Sequence, residues 1–130
     1  MRTALGVHAE DMREAFAHDA VLLLDDGGDE RALGGAITVA LCGGWSHEPP
    51  CPLAPHHTGV HRTGAELTLR LLFAAEPRDE SRVRALVEDV LARGWGDSPD
   101  GSRTTWSVVT STPSPVLAEE EPHARRLIGG

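Results

Sequence analysis

Two segments in which apolar and polar side chains alternate constrain the fold of this chain more than any other feature of its sequence. In residues 65–75, one side of an extended backbone would carry Leu67, Leu69, Leu71 and Phe73. In residues 35–42, the corresponding side would carry Ile37, Val39 and Leu41. Alternation with a period of two is typical of a strand that is buried on one face. The sequence therefore predicts two antiparallel strands with one buried face.

Four further segments complete the predicted order of helices and strands. A helix is predicted over residues 8–18, where apolar residues recur at helical spacing. Residues 20–24 and 104–111 are rich in aliphatic or β-branched side chains and predict strands. The clearest helix begins near Pro77 and ends at Gly94, which can cap it. Its apolar stripe consists of Val83, Leu86, Val87, Val90 and Leu91.

The predicted order α-β-β-loop-β-α-β favours an α+β fold, because neighbouring strands with short connections form antiparallel sheets. We expect a sheet of about four strands with helices packed on one face, similar to a ferredoxin-like fold, with a β-grasp-like fold as the alternative. Residues 1–112 would form a single domain that contains a loop over residues 42–64. Residues 113–130 would form a C-terminal tail, or an element docked at a sheet edge or in a dimer.

The charge of the chain disfavours several classes of partner. The formal net charge is −8, and all twelve basic residues are arginines that are spread along the sequence. Binding to nucleic acid or to an anionic membrane surface requires a cluster of basic side chains. We therefore expect neither of these partners. Paired glycines occur, but without the spacing of a phosphate-binding loop, so no nucleotide cofactor is expected either.

The apolar segments are too short to predict a leader peptide or a membrane span. His8, Glu10 and Asp11 interrupt the apolar residues near the N-terminus, and the longest apolar run elsewhere covers residues 71–75. We therefore expect a cytoplasmic protein whose cysteines are reduced. A disulfide between Cys42 and Cys51 remains an alternative that this compartment disfavours.

Most side chains that could bind a metal lie in one segment, with the pattern Cys42-x4-His47-x3-Cys51-x4-His56-His57-x3-His61. Thiolate and imidazole groups are the ligands that zinc prefers. Four prolines restrict the backbone of this segment, so ordering it around a metal ion costs less conformational entropy. The spacing matches no known zinc finger and contains no Cys-x2-Cys pair.

The closest set of candidate zinc ligands consists of His47, Cys51, His56 and His57. Cys42 belongs to a predicted strand and is a candidate for packing, and three residues separate His61 from His57. Adjacent histidines point to opposite sides of an extended chain. We therefore expect only one of the two adjacent imidazoles to bind this ion, while the other supports a ligand or binds a different ion.

Three functions follow from these features. The first is a small acidic protein that binds zinc through the Cys/His segment in a structural or sensory role. The second is a metal-free interaction or small-ligand module, which acts as a homodimer and uses the loop or the polar face of the sheet. The third is a metal-dependent hydrolase in which Glu48 acts as general base. No set of catalytic residues is evident, so a binding role is favoured over an enzymatic one.

Overall fold

The computed structural model describes residues 13–42 and 54–129, apart from the side chain of Cys42. Its strands are β1 (Glu14–Leu24), β2 (His56–Thr63), β3 (Glu66–Ala75), β4 (Trp95–Asp97) and β5 (Arg103–Ser114). Its helices are α1 (Arg31–Cys42), α2 (Glu80–Arg93) and α3 (Glu121–Gly129). The strands form one sheet in the order β2-β3-β1-β5-β4, in which all neighbours are antiparallel. Within these residues the chain therefore has an α+β fold with five strands and three α-helices.

The main core lies between one face of the sheet and helices α1 and α2. The central strands β1 and β3 supply buried side chains that include Leu22, Leu69, Leu71 and Phe73. The predicted stripe of α2 packs against them, with Val83, Val87, Val90 and Leu91 buried. Helix α2 lies on this face, as predicted, and α1, which was not predicted as a helix, lies on the same face. Helix α3 lies on the opposite face, where its Ala124 is buried and Glu120 beside it binds Arg70 of β3.

The strand predicted over residues 35–42 is wrong, because these residues belong to α1. Buried residues of α1 are spaced by four, at Leu33, Ile37 and Leu41, and this spacing forms one helical face. The apparent alternation depended on Val39, which is exposed in the structure. Burial of the helical face against the sheet outweighs the weak helix propensity of the glycines and β-branched residues in this segment.

The helix predicted over residues 8–18 is also wrong for the described residues 14–18, which begin strand β1. Residues 8–12 lie outside the described residues. The even-numbered residues of β1 face the core, but one of them is the polar residue His18, and Ala17 on the other face is also buried. Apolar and polar residues therefore do not alternate in this part of the sequence. A strand that is covered on both faces does not alternate cleanly between apolar and polar residues.

The predicted loop over residues 42–64 ends earlier than expected, because His56–Thr63 is strand β2. It pairs with β3 through a two-residue turn in which Gly64 has a φ of 62°. Glycine suits this position because a positive φ strains residues with a side chain.

The predicted strand at residues 104–111 is confirmed and extends to Ser114. Among the described residues, no helix is long and apolar enough to cross a membrane.

Candidate metal centre

His57 and His123 form a pair of imidazoles at the junction of β2 and α3. Their ring centroids lie 4.7 Å apart, and the ring planes are inclined by 59°. His57 comes from the second residue of the edge strand, and His123 comes from the first turn of the helix. Neither ring has a hydrogen-bond or ion-pair partner among residues 13–42 and 54–129. Two imidazoles from separate elements are therefore brought together, and their ring nitrogens make no hydrogen bond within the described part of the chain.

The sheet and α3 position the backbones of the two histidines. His57 is paired with Leu72 of β3, which is 3% exposed. Ala124 lies next to His123 in the sequence and is buried. Helix α3 begins with Glu121-Pro122, and an acid and a proline both suit a helix start. The position of His123 therefore depends on how firmly α3 packs on the sheet.

Arg70 ties the start of α3 to the sheet. Its Nη2 and Nε donate to the two carboxylate oxygens of Glu120 at 2.6 and 3.0 Å, and Nη1 donates to Asp19 at 3.0 Å. The same guanidinium donates to the Ser114 hydroxyl and to the Pro115 carbonyl. The hydrogen bonds from Arg70 lower the pKa of Glu120 below its usual value. This network fixes the segment between β5 and α3.

The chemical state of His123 suits metal binding. Burial lowers the pKa of His123, and the charges of His57 and Arg126 lower it further. The imidazole is therefore neutral at neutral pH, which is the form that presents a lone pair to a metal ion. A neutral His123 also avoids charge repulsion with the neighbouring ring of His57.

His56 points away from this pair, as predicted for adjacent residues of a strand. Its Nδ1–H donates to the Ala54 carbonyl at 3.1 Å, and its Nε2 accepts from the Thr38 hydroxyl at 3.1 Å. Burial lowers the pKa of His56, so the ring is neutral. The imidazole joins β2 to α1, and a metal ion at Nε2 would have to displace the Thr38 hydroxyl.

The remaining predicted ligands are divided between described and undescribed parts of the chain. His47 and Cys51 lie outside the described residues, as does Glu48, so their roles remain predictions. Cys42 is the last residue of α1, and His61 is exposed on the same face of β2 as His57. Within residues 13–42 and 54–129, no group of three or more histidine, cysteine or carboxylate side chains could hold a metal ion.

His123 was not among the predicted ligands. It lies 66 positions after His57, and nothing in the local sequence relates the two residues. The available signal was the amphipathic pattern of the tail, in which Ala124, Leu127 and Ile128 fall on one face after Pro122. This pattern would have predicted a docked helix, but not the strand on which it docks.

A second polar cluster surrounds the buried His18 on the α2 side of the sheet. Ser111 donates its only hydroxyl hydrogen to Glu88 at 2.6 Å, so the contact of 2.9 Å with His18 requires a proton on Nε2 of the imidazole. Nδ1 then accepts from Arg84 at 3.0 Å. Since Nε2 already carries a proton, His18 cannot deprotonate Ser111, and the cluster is not arranged as a catalytic triad.

We expect His18 to make the stability of the protein depend on pH. Burial lowers the pKa of His18 below its usual 6.5; Glu88 opposes this shift and Arg84 adds to it. The unfolded chain therefore binds a proton at a higher pH than the folded chain. The free energy of unfolding should fall as the pH decreases from about 6.5 through the lowered pKa of the folded state.

Urea denaturation between about pH 7.5 and about pH 5.5 measures this effect. His18→Gln removes the titrating group and should reduce the slope of unfolding free energy against pH. Some slope remains because His56 and His123 have lowered pKa values too. An equal slope in the wild-type protein and the variant would contradict the assignment to His18.

Comparisons with known proteins do not identify a family. A scan against protein-family models and a search of curated proteins both found no match.

Proposed function

We propose that the protein binds a transition-metal ion of the zinc type through His57 and His123. The observation that carries this proposal is the contact between the two imidazoles at a centroid distance of 4.7 Å. Two imidazole nitrogens that bind one tetrahedral zinc ion at about 2.0–2.1 Å lie roughly 3.3 Å apart. Small rotations of the two rings can produce this separation, because neither ring is held by a hydrogen bond within the described residues.

A structural or sensory role is supported by the elements that the two histidines belong to. His57 is on the edge strand β2, whereas His123 is on α3, which follows β5 in the described residues. A metal ion bound to both would join the helix to the strand and so stabilise the folded chain. The predicted ligands His47 and Cys51 precede β2 in the sequence and are proposed to complete the coordination. His56 is proposed to support β2 rather than to bind the ion.

Zinc titration calorimetry on protein purified without a histidine tag tests the proposal. We expect the wild-type protein to bind about one zinc ion, and His57→Ala and His123→Ala each to weaken binding at least about tenfold. His61→Ala is the matched control, because this exposed histidine lies on the same face of β2 and should leave the affinity unchanged. His47→Ala and Cys51→Ala should also weaken binding if these residues complete the site.

Two outcomes would contradict the proposal. One is less than about a tenth of an equivalent of bound zinc, nickel or copper after exposure to these ions. The other is wild-type affinity in both His57→Ala and His123→Ala. If only His47→Ala and Cys51→Ala weakened binding, the metal would bind to the Cys/His segment without the imidazole pair.

We further propose that β1, β2, β3 and β5, together with α1 and α2, form a ferredoxin-like unit. The chain order β-α-β-β-α-β and the spatial order β2-β3-β1-β5 support this proposal. The short β4 and α3 would then be additions to that unit. The hydrolase and homodimer hypotheses remain predictions, the first because Glu48 lies outside the described residues.

A further inference from the structure

The buried imidazole of His18 lies between a cation and an anion of the same helix. Its side chain is 1% exposed. Arg84 and Glu88 approach it from successive turns of α2, because residues four positions apart lie on the same side of a helix. Arg84 contacts one ring nitrogen directly, and Ser111 joins the other ring nitrogen to Glu88. The imidazole therefore contacts two opposite charges through its two nitrogens.

The contact with Arg84 depends on a neutral imidazole. Nη1 of Arg84 donates one hydrogen to the Ala17 carbonyl at 2.8 Å and the other to Nδ1 of His18 at 3.0 Å. Nε of the same guanidinium donates to Glu80 at 2.8 Å, and the guanidinium carbon lies 5.3 Å from the centroid of the Phe73 ring. The contact at Nδ1 requires a lone pair on that nitrogen, which only the neutral ring provides.

A proton that His18 takes up can bind only at Nδ1. Nε2 already carries the hydrogen that it donates to the Ser111 hydroxyl, whose own hydrogen goes to Glu88. After protonation, Nδ1 and Nη1 of Arg84 would be two donors that face each other 3.0 Å apart, and both side chains would be positively charged. The contact between His18 and Arg84 therefore breaks when the imidazole becomes a cation.

Protonation strengthens the connection to Glu88. One carboxylate oxygen of Glu88 lies 3.7 Å from Nε2 of His18, and the other accepts the hydroxyl hydrogen of Ser111 at 2.6 Å. With a cation at one end and an anion at the other, the two hydrogen bonds through Ser111 become charge-assisted. The carboxylate of Glu88 therefore replaces the guanidinium of Arg84 as the favourable partner of the ring.

The other elements around His18 do not provide a competing contact. Three charged groups influence the imidazole, namely those of Arg84, Glu88 and Asp19. The carboxylate of Asp19 favours the charged ring, but Asp19 binds Arg70. Strands β3 and β5 place the uncharged residues Leu71 and Pro113 opposite His18. Of the three charged groups, the two on α2 are therefore those that the ring contacts directly or through one hydroxyl.

We propose that His18 is a proton-operated switch in the folded protein, which exchanges Arg84 for Glu88 as the charged partner of the imidazole. In the neutral form, Arg84 holds the ring. In the protonated form, Arg84 turns away with Glu80, and Ser111 links the ring to Glu88. The switch shares no residue with the imidazole pair of His57 and His123 and does not depend on the proposed metal.

The exchange involves side chains and leaves α2 in place. Val83 and Val87 of α2 are fully buried in the core, one directly before Arg84 and the other directly before Glu88. Their burial fixes the helix on the sheet while the two charged side chains move. The indole Nε1–H of Trp106 donates to the Leu91 carbonyl of α2 at 3.0 Å, so its NMR signal reports the position of the helix.

A pH titration of the folded protein by NMR tests the switch. We expect Nδ1 of His18 to become protonated below its usual pKa of about 6.5, while Nε2 carries a proton throughout. The guanidinium signals of Arg84 should shift over the same pH range, because this side chain leaves the ring. The indole N–H signal of Trp106 should stay constant in that range.

Two variants separate the roles of the partners. Arg84→Met removes the cation and should raise the pKa of His18, whereas Glu88→Gln removes the anion and should lower it. Asp89→Asn is the matched control, because it removes the same charge from the next residue of α2, which is exposed. This control should leave the pKa of His18 unchanged. If Arg84→Met does not fold, Glu88→Gln still tests the proposal, since the Glu88 side chain is 47% exposed.

Constant Arg84 signals during the protonation of His18 would overturn the switch, and so would unfolding of the chain before the ring is protonated. Equal effects of Glu88→Gln and Asp89→Asn on the pKa of His18 would overturn the assignment of Glu88 as the partner of the charged ring. A shift of the Trp106 signal with the same midpoint would overturn the part that keeps α2 in place.

Discussion

Replacing Arg70 by methionine is expected to destabilise the protein by about 2–3 kcal/mol and to weaken zinc binding. The substitution keeps an apolar stem but leaves the carboxylates of Asp19 and Glu120 without their cation. Removing one member of a fully buried ion pair costs roughly 3–5 kcal/mol. The side chain of Arg70 is 25% exposed, so water screens part of this loss.

The effect on zinc follows from the position of Glu120, directly before α3. Without Arg70, the start of the helix is held less firmly, and His123 in its first turn is displaced more easily from His57. Urea denaturation and zinc titration of the same variant measure the two effects. Arg31→Met is the matched control, because Arg31 pairs with Asp29 but is 68% exposed. This control should change the stability by less than about 1 kcal/mol and leave zinc affinity unchanged.

Equal stability of the two arginine variants would contradict the role of Arg70 as the anchor of α3. Destabilisation of Arg70→Met with unchanged zinc affinity would mean that the metal does not depend on α3. That result would count against His123 as a ligand while leaving the ion-pair network intact.

Replacing Gly96 by alanine is expected to destabilise the protein by about 2 kcal/mol, because the added methyl group does not fit where β4 packs against α1 and the Trp106 ring. A Cβ at Gly96 would lie 3.0 Å from the Ala32 carbonyl oxygen of α1 and 3.0 Å from the Trp106 ring. The Trp106 ring is held by a hydrogen bond of 3.0 Å from Nε1 to the Leu91 carbonyl. Since neither neighbour is the end of a flexible side chain, α1 would have to move away from β4.

Gly59→Ala provides the matched control in another strand. A Cβ at Gly59 would meet only the Arg70 carbonyl oxygen at 3.7 Å, an ordinary van der Waals distance. Neither glycine has a positive φ, so backbone strain does not distinguish them. Thermal denaturation should show Gly59→Ala within about 0.5 kcal/mol of the wild-type protein. Similar stability of the two alanine variants would contradict the close packing of α1 on β4.

Elements in which the apolar residues of the sequence coincide with the buried face were predicted, and elements in which the two differ were not. Strand β3 alternates because its apolar side faces the core, and α2 has one apolar stripe because its other side is solvated. The period of α1 was misread, because Val39 supplied an apolar residue outside the buried helical face. In β1, one of the residues that face the core is His18, so the sequence does not show the alternation of apolar and polar residues that a half-buried strand usually has.

The candidate site was predicted only in part for a related reason. His57 was identified from its place in a segment rich in cysteine and histidine. Its partner His123 depends on the return of α3 across the sheet, and no local pattern encodes that contact. The hydrogen-bond network of Arg70 was not predicted either, because its partners Asp19 and Glu120 lie about fifty positions away on either side. Long-range contacts of this kind are set by topology.

The most direct test of the proposed metal centre is a ¹⁵N NMR titration of the histidine rings with zinc. We expect that one ring nitrogen of His57 and one of His123 change their chemical shifts together and saturate at about one equivalent of zinc. The ring of His61 should not respond in this range. Saturation of other histidines while His57 and His123 stay unchanged would contradict the proposal that this imidazole pair binds the metal.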